Sequence, residues 1–223
     1  MKLSENIGNN KDELHSIESI DFSTNTPENV NIAVTPLKPG GANFKTHSLV
    51  KKSSSKYAYQ PSVGGAAFSI LFLSIGLIIT IACLLNIIGV FSTVKPVSWF
   101  MLLIGVIFAT VGALLTYWSY MPRVFDKQLG LYYKAYKVDF NRDKNTSKKQ
   151  IPLKSIIAIQ IIGERITSDD GSYGSFELNL VLNDYSRKNV VDHGNLKSII
   201  NDAHILSDFL NIPIWHAKTH NAQ

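Results

Sequence analysis

The chain has a single cysteine, Cys83, so it can form no internal disulfide and offers no cysteine cluster for zinc. It has no arginine-rich helix, no zinc-finger spacing and no aromatic RNA-binding run, so nucleic acid is not an expected partner. Its paired glycines, Gly40-Gly41 and Gly64-Gly65, lack the flanking pattern of a phosphate-binding loop. No activated serine or cysteine is identifiable by motif. The opening MKLSENIGNNKDELHS is polar and lacks the apolar core of a cleaved leader, so the first apolar run is expected to be an uncleaved anchor. The most consequential absence is charge. No ionisable acid or base of the Asp, Glu, Lys or Arg type occurs between Tyr57 and Val94, nor between Pro96 and Pro122; Lys95 alone interrupts.

Those charge-free intervals hold two apolar runs, Ala66 to Phe91 and Val97 to Tyr120. A hydrocarbon core of about 30 Å needs about 20 helical residues, and an ionised group at its centre costs roughly 2.5–3.5 kcal/mol. Both runs meet the length and the charge requirement. Trp99 opens the second, and Tyr117, Trp118 and Tyr120 close it, as interface aromatics do. The expected element is a transmembrane helical hairpin with residues 92–96 as its link. Cys83 within it reads as a small apolar packing residue. Asn86 reads as a hydrogen-bonding group near the outer end of the first span. With no buried charge, two spans make a poor transporter.

Flanking cations give the hairpin a direction. Lys45, Lys51, Lys52 and Lys56 precede it, Arg123, Lys127, Lys134 and Lys137 follow it, and Lys95 alone lies in the link. Both termini are therefore expected in the cytoplasm of a multi-pass inner-membrane protein. Residues 1–40 carry net negative charge, whereas residues 41–60 hold four lysines and no acid. The basic excess adjoins the spans, which favours an anionic bilayer surface as partner. In the second span, Gly105, Ala109, Gly112 and Ala113 form a small-residue stripe. It is expected to pack on the first helix, with a homodimer contact as the alternative.

Outside the hairpin the composition predicts a polar tail over 1–40, disordered apart from a frayed turn near residues 11–20. Residues 41–60 predict a β-hairpin, and an isolated hairpin is marginal in water, so pairing with the later strands is expected. Residues 122–216 predict a small antiparallel β domain of about five strands. Strands are expected at 123–126, 131–140, 151–153, from Ile156, at 176–182 and at 187–191, with loops at 141–149 and 168–175. Leu196, Ile199, Ile200, Ala203, Leu206, Phe209 and Leu210 then fall at helical spacing, with Asn195 as N-cap and Asn211 and Pro213 as the stop. One helix would cover the open side of such a sheet.

Chemistry-bearing groups are sparse. His216 and His220 are four apart, but no acid accompanies them in the tail, so no metal and no cofactor are expected. Asp192 and His193 are the one pair that could act as orienter and base; the structural alternative is capping of the following helix. Arg142, Lys144, Lys148, Lys149 and Lys154 form the densest basic cluster, diluted by Asp139 and Asp143. Such a cluster reads either as a solvated loop or as a surface for lipid headgroups or a partner.

The segments RVFDKQLG (123–130), IPLKSIIAIQI (151–161), FELNLVLND (176–184) and FLNIPIW (209–215), placed behind two spans, resemble small two-span bacterial membrane proteins of unassigned function. The cytoplasmic part of those proteins is of the pleckstrin-homology type. The layout is also similar to the photosystem I assembly protein family with two N-terminal spans. The likeness runs from Ala66 to Trp215 and rests chiefly on FDK at 125–127 and FLNIPI at 209–214. It implies a pleckstrin-like fold, an assembly or scaffold role, and an early loop that faces the membrane.

The combined expectation is an α+β membrane protein, a two-helix transmembrane hairpin plus a small antiparallel pleckstrin-like domain capped by a C-terminal helix. It would be non-enzymatic, with the lipid bilayer, an unknown protein or a second copy as partner. The alternatives are a structural subunit that interacts through its hairpin and an enzyme acting on lipid through Asp192 and His193.

Overall fold

The structure, a computed structural model, describes residues 32, 33, 35–90, 99–140, 150–168 and 171–216. It divides into two compact units, Pro61–Met121 and the remainder of the chain.

The first unit is a pair of packed helices, α1 (Val63–Ile87) and α2 (Trp99–Ser119). Both are long and apolar enough to cross a membrane, with mean hydropathies of 2.7 and 2.3. α1 starts earlier than the expected Ala66 because Ser62 caps it: its hydroxyl accepts the Gly65 amide at 3.1 Å. It also stops short of the expected Phe91. Gly89 adopts φ +80°, its amide bonds to the Asn86 carbonyl and the Val90 amide to the Leu85 carbonyl. That paired closure ends a helix wherever glycine supplies the left-handed residue. The link at 92–96 lies outside the described residues.

Among the described residues, the second unit contains nine strands in two sheets. β1 (His47–Ser53), β2 (Lys56–Pro61), β3 (Arg123–Asp126), β4 (Leu131–Lys134) and β5 (Gln150–Pro152) form the first sheet in sequence order. A 3-10 turn, Leu153–Ser155, leads into β6 (Ile156–Ser168). β6, β7 (Gly171–Leu182) and β8 (Arg187–His193) make an antiparallel meander, followed by α3 (Leu196–Leu210). β9 (Ile214–His216) then returns parallel to β6 at the far edge. Among the described residues, 122–216 therefore hold seven strands where about five were expected, and the helix is not the last element.

One apolar core joins both sheets to the helix. Tyr59, Phe125, Tyr132 and Ile151 come from the first sheet, Ile159, Ile161, Phe176, Leu178 and Leu180 from the second, and Ile199, Ala203 and Leu206 from α3. α3 begins at Asn195, whose side chain accepts the Ser198 amide at 2.8 Å, and ends at Asn211 with φ +57°. Lys56 and the buried Asp126 form an ion pair at 2.7 Å across β2 and β3, and Asp126 also accepts the Gln128 and Leu129 amides of the turn to β4. Burial alone would raise the Asp126 carboxyl. The bond to Lys56 and the two amides outweigh it and hold the group below the ordinary carboxylate range.

Residues 41–60 do form the expected hairpin, with a tighter turn at Ser54 and Ser55, and β2 pairs with β3 from Lys56 opposite Asp126 to Tyr59 opposite Arg123. The two apolar helices are thus inserted between directly paired strands. The expected turn at 168–175 is much shorter, because Ser172 to Ser175 continue β7 against β6. β4 ends at Lys134 rather than near 140.

The tail expected over 1–40 needs a larger correction at its end. Residues 1–31 and 34 lie outside the described residues. Ile32 packs on the outer face of the second sheet with Ala158, Val181 and Trp215. From Thr35 to Thr46 the chain is tied to that sheet, largely through its own backbone. Glu177 accepts the Leu37 and Lys38 amides at 2.9 and 2.5 Å, and Arg187 donates to the Thr35 carbonyl at 2.9 Å. Gln160 donates to the Ala33 carbonyl at 3.3 Å, and the Tyr173 hydroxyl to the Gly41 carbonyl at 3.2 Å. The Gly194 amide meets the Phe44 carbonyl, and the Thr46 hydroxyl donates to the Asp192 carbonyl. With the strap in place, Glu177 and Asn179 are buried.

Candidate functional site

The polar groups that stand out lie on the inward face of the first sheet. Register places Tyr59, Arg123 and Lys134 in one row across β2, β3 and β4, with Tyr132 two residues from Lys134 on the same face. Tyr59 and Tyr132 are essentially fully buried, while Arg123 and Lys134 are only partly so. The Nε and Nη1 atoms of Arg123 and the Tyr132 hydroxyl are buried without a hydrogen-bond partner among the described residues. The Tyr59 hydroxyl is drawn electrostatically to Asp202 of α3 but makes no hydrogen bond of ordinary geometry. Buried donors are nearly always satisfied, so four in one place mark a polar centre rather than core packing.

The electrostatics agree. Burial pushes the Lys134 ammonium down to about 8, and the neighbouring Arg123, Lys38 and Lys188 push the same way. Burial also lowers Arg123, against the phenols of Tyr132 and Tyr59 and the Asp192 carboxylate, which favour its charge. Burial raises both phenols far above their usual range, so they remain neutral donors. Asp192 is an acid whose charge acts on the guanidinium, and it is already engaged by the Ser175 hydroxyl at 2.8 Å. The row is therefore rich in donors and positive in sign, the chemistry of a site for anions.

The other groups singled out in the sequence fare differently. Asp192 and His193 do not form a dyad. Neighbours on a strand point to opposite faces: Asp192 lies on the strap side with Ser175, and His193 is fully buried opposite Phe176. His193 Nδ1 accepts the Asn195 amide at 3.2 Å, its Nε2 has no partner among the described residues, and burial with Lys45 nearby lowers it to about 4. It is a neutral core imidazole that helps the turn into α3. Arg142, Lys144, Lys148 and Lys149 lie outside the described residues; Lys154 is exposed on the 3-10 turn. His220 lies outside them as well, and among the described residues no three His, Cys, Asp or Glu side chains gather as a metal site would need.

The small-residue stripe is occupied within the hairpin. A Cβ on Gly112 would run into the Leu73 amide, and one on Gly105 would meet Thr80 and Ile79. The facing surface of α1 supplies Gly76, where a Cβ would overlap the Ala109 backbone. Ala113 is exposed and stands off this seam, so the packing face runs Gly105, Ala109, Gly112.

The inward-facing row was not singled out in the sequence, where Arg123 and Lys134 read only as cations flanking a span. The available signal was an arginine at the first position of a strand that also carries Phe125 on its inward face. In comparisons with known proteins, no family model, no curated protein and no solved structure matches this chain.

Proposed function

We propose that this chain is a non-catalytic integral protein of the bacterial inner membrane, with both ends in the cytoplasm. Its β domain, of pleckstrin-homology type, binds lipid headgroups or a protein partner in an assembly or scaffold role. The observation that carries this reading is the insertion of two span-length apolar helices between paired strands β2 and β3. The chain enters the hairpin through Pro61 and Ser62 and leaves it through Tyr120, Met121 and Pro122. Two antiparallel sheets closed by α3 support the pleckstrin-like comparison; β9 and the strap are additions to that plan.

The test is trypsin digestion of full-length protein in sealed vesicles of known orientation. Cleavage at Lys127 or Lys137 is expected only in inverted vesicles, where the cytoplasmic face is outside. Cleavage in right-side-out vesicles would overturn the orientation, and extraction of the intact chain by carbonate would overturn membrane integration.

A further inference from the structure

We infer that Arg123, Lys134 and the hydroxyls of Tyr59 and Tyr132 form a binding site for a phosphate group, entered from the partly exposed side of the Arg123–Lys134 pair. The register brings these four side chains to one face from three adjacent strands. Their buried donors, Nε and Nη1 of Arg123 and the Tyr132 hydroxyl, have no acceptor among the described residues, and the Tyr59 hydroxyl has none there in bonding geometry. An isolated unsatisfied donor costs about 1–3 kcal/mol, and a fold does not assemble several in one row without an acceptor to meet them.

The ligand class follows from number and charge. A guanidinium, an ammonium and two neutral phenols supply more donors than the two oxygens of a carboxylate can accept. A tetrahedral phosphate offers three or four oxygens and up to two negative charges, matching the two cations. Lys38 and Lys188 lie within electrostatic reach of Lys134 and strengthen the field at the entrance. Asp192 opposes an anion, but the Ser175 hydroxyl holds its carboxylate. Two sources can present a phosphate here, the headgroup of an acidic phospholipid or a soluble phosphate ester. The lipid source rests on the membrane reading above; the chemistry of the site does not.

The experiment uses the full chain purified in neutral detergent and in nanodiscs. Thermal unfolding is followed as inorganic phosphate is added against chloride of equal ionic strength. Separately, nanodiscs of phosphatidylcholine are compared with nanodiscs containing phosphatidic acid. Wild type is expected to gain several degrees with phosphate. Arg123→Gln and Lys134→Gln are expected to lose most of that gain. Tyr132→Phe guards against variants that merely misfold: it deletes only an unsatisfied hydroxyl, so it should fold at least as well as wild type without phosphate, yet respond less to it. A gain with phosphate and none with phosphatidic acid keeps the site and assigns it to a soluble ester, which removes lipid binding from the function. No wild-type response in either arm overturns the site whatever the vesicle digestion shows. An unreduced response in Lys134→Gln and Tyr132→Phe overturns it too.

Discussion

Tyr59 and Arg123 face each other across β2 and β3, although the whole apolar hairpin separates them in sequence. The strands on either side of the hairpin are thus neighbours in one sheet, and the hairpin takes the place of an ordinary turn. Replacing Pro61–Met121 by a short Asn-Gly turn should leave a folded β domain, because that dipeptide suits antiparallel pairing. The expected product is soluble, with a sheet-type circular dichroism spectrum and one cooperative melting transition. Aggregation or a featureless melt would show that the domain needs its helices to fold.

Glu177 is the chief anchor of the strap. Its carboxylate accepts the Leu37 and Lys38 amides and the Asn179 side-chain amide at 2.9 Å. Glu177→Ala strands these donors, a loss of about 1–3 kcal/mol. Local opening should follow more readily than global unfolding, so trypsin should cut after Lys45 markedly faster than in wild type, the Lys38–Pro39 bond being resistant to trypsin. Equal cleavage rates would mean that apolar contacts such as that of Ile32 hold the strap instead.

What the sequence conveyed divides along physical lines. The helix pair was legible because its two apolar runs are charge-free and long enough for span-length helices. α3 was legible because its apolar residues repeat at helical spacing between two asparagine caps. The strap was not. Its residues bind through Leu37 and Lys38 amides and the carbonyls of Ala33, Thr35, Gly41 and Phe44, groups every residue possesses, so its pattern of Pro and Gly reads as coil. A trace lay in its partner: IIAIQII of β6 does not alternate, as befits a strand covered on both faces. The polar row was hidden for another reason. β3 and β4 have four residues each, too few for alternation to reveal which cations face inward.

The helix seam gives a matched pair of tests. A Cβ at Gly76 would overlap the Ala109 backbone, whereas one at Gly64 meets nothing. Gly76→Val should force the helices apart, with loss of about 1–3 kcal/mol from overpacking, read as a lower unfolding temperature in detergent. Gly64→Ala should be neutral or mildly stabilising, since alanine suits a helix better. If Gly76→Val melts like wild type, the close approach of α1 and α2 is not what holds the hairpin.

Acid and base shifts in the β domain predict a pH dependence. Burial raises Asp202 and Asp192 to about 6, and one Asp202 oxygen is buried without a hydrogen bond of ordinary geometry among the described residues. A carboxyl raised on folding contributes its stability below its unfolded value, near 4, and loses it as pH climbs through 6. His193 acts oppositely: lowered on folding to about 4, it contributes above its ordinary value and loses that contribution as pH falls. Between pH 4 and 6 the folded state gains two protons on these acids and forgoes one on the imidazole, so these three groups together favour the acid side. Asp202→Asn removes a carboxyl that ionises at a cost inside the fold, while keeping an oxygen that the Leu49 amide can reach. The variant should exceed wild type by roughly 1–3 kcal/mol at pH 8 and match it near pH 3, below the unfolded value of the carboxyl. Melting curves of both proteins at the two pH values decide the matter: a difference of the same size at each would place the effect in packing rather than in the ionisation of Asp202.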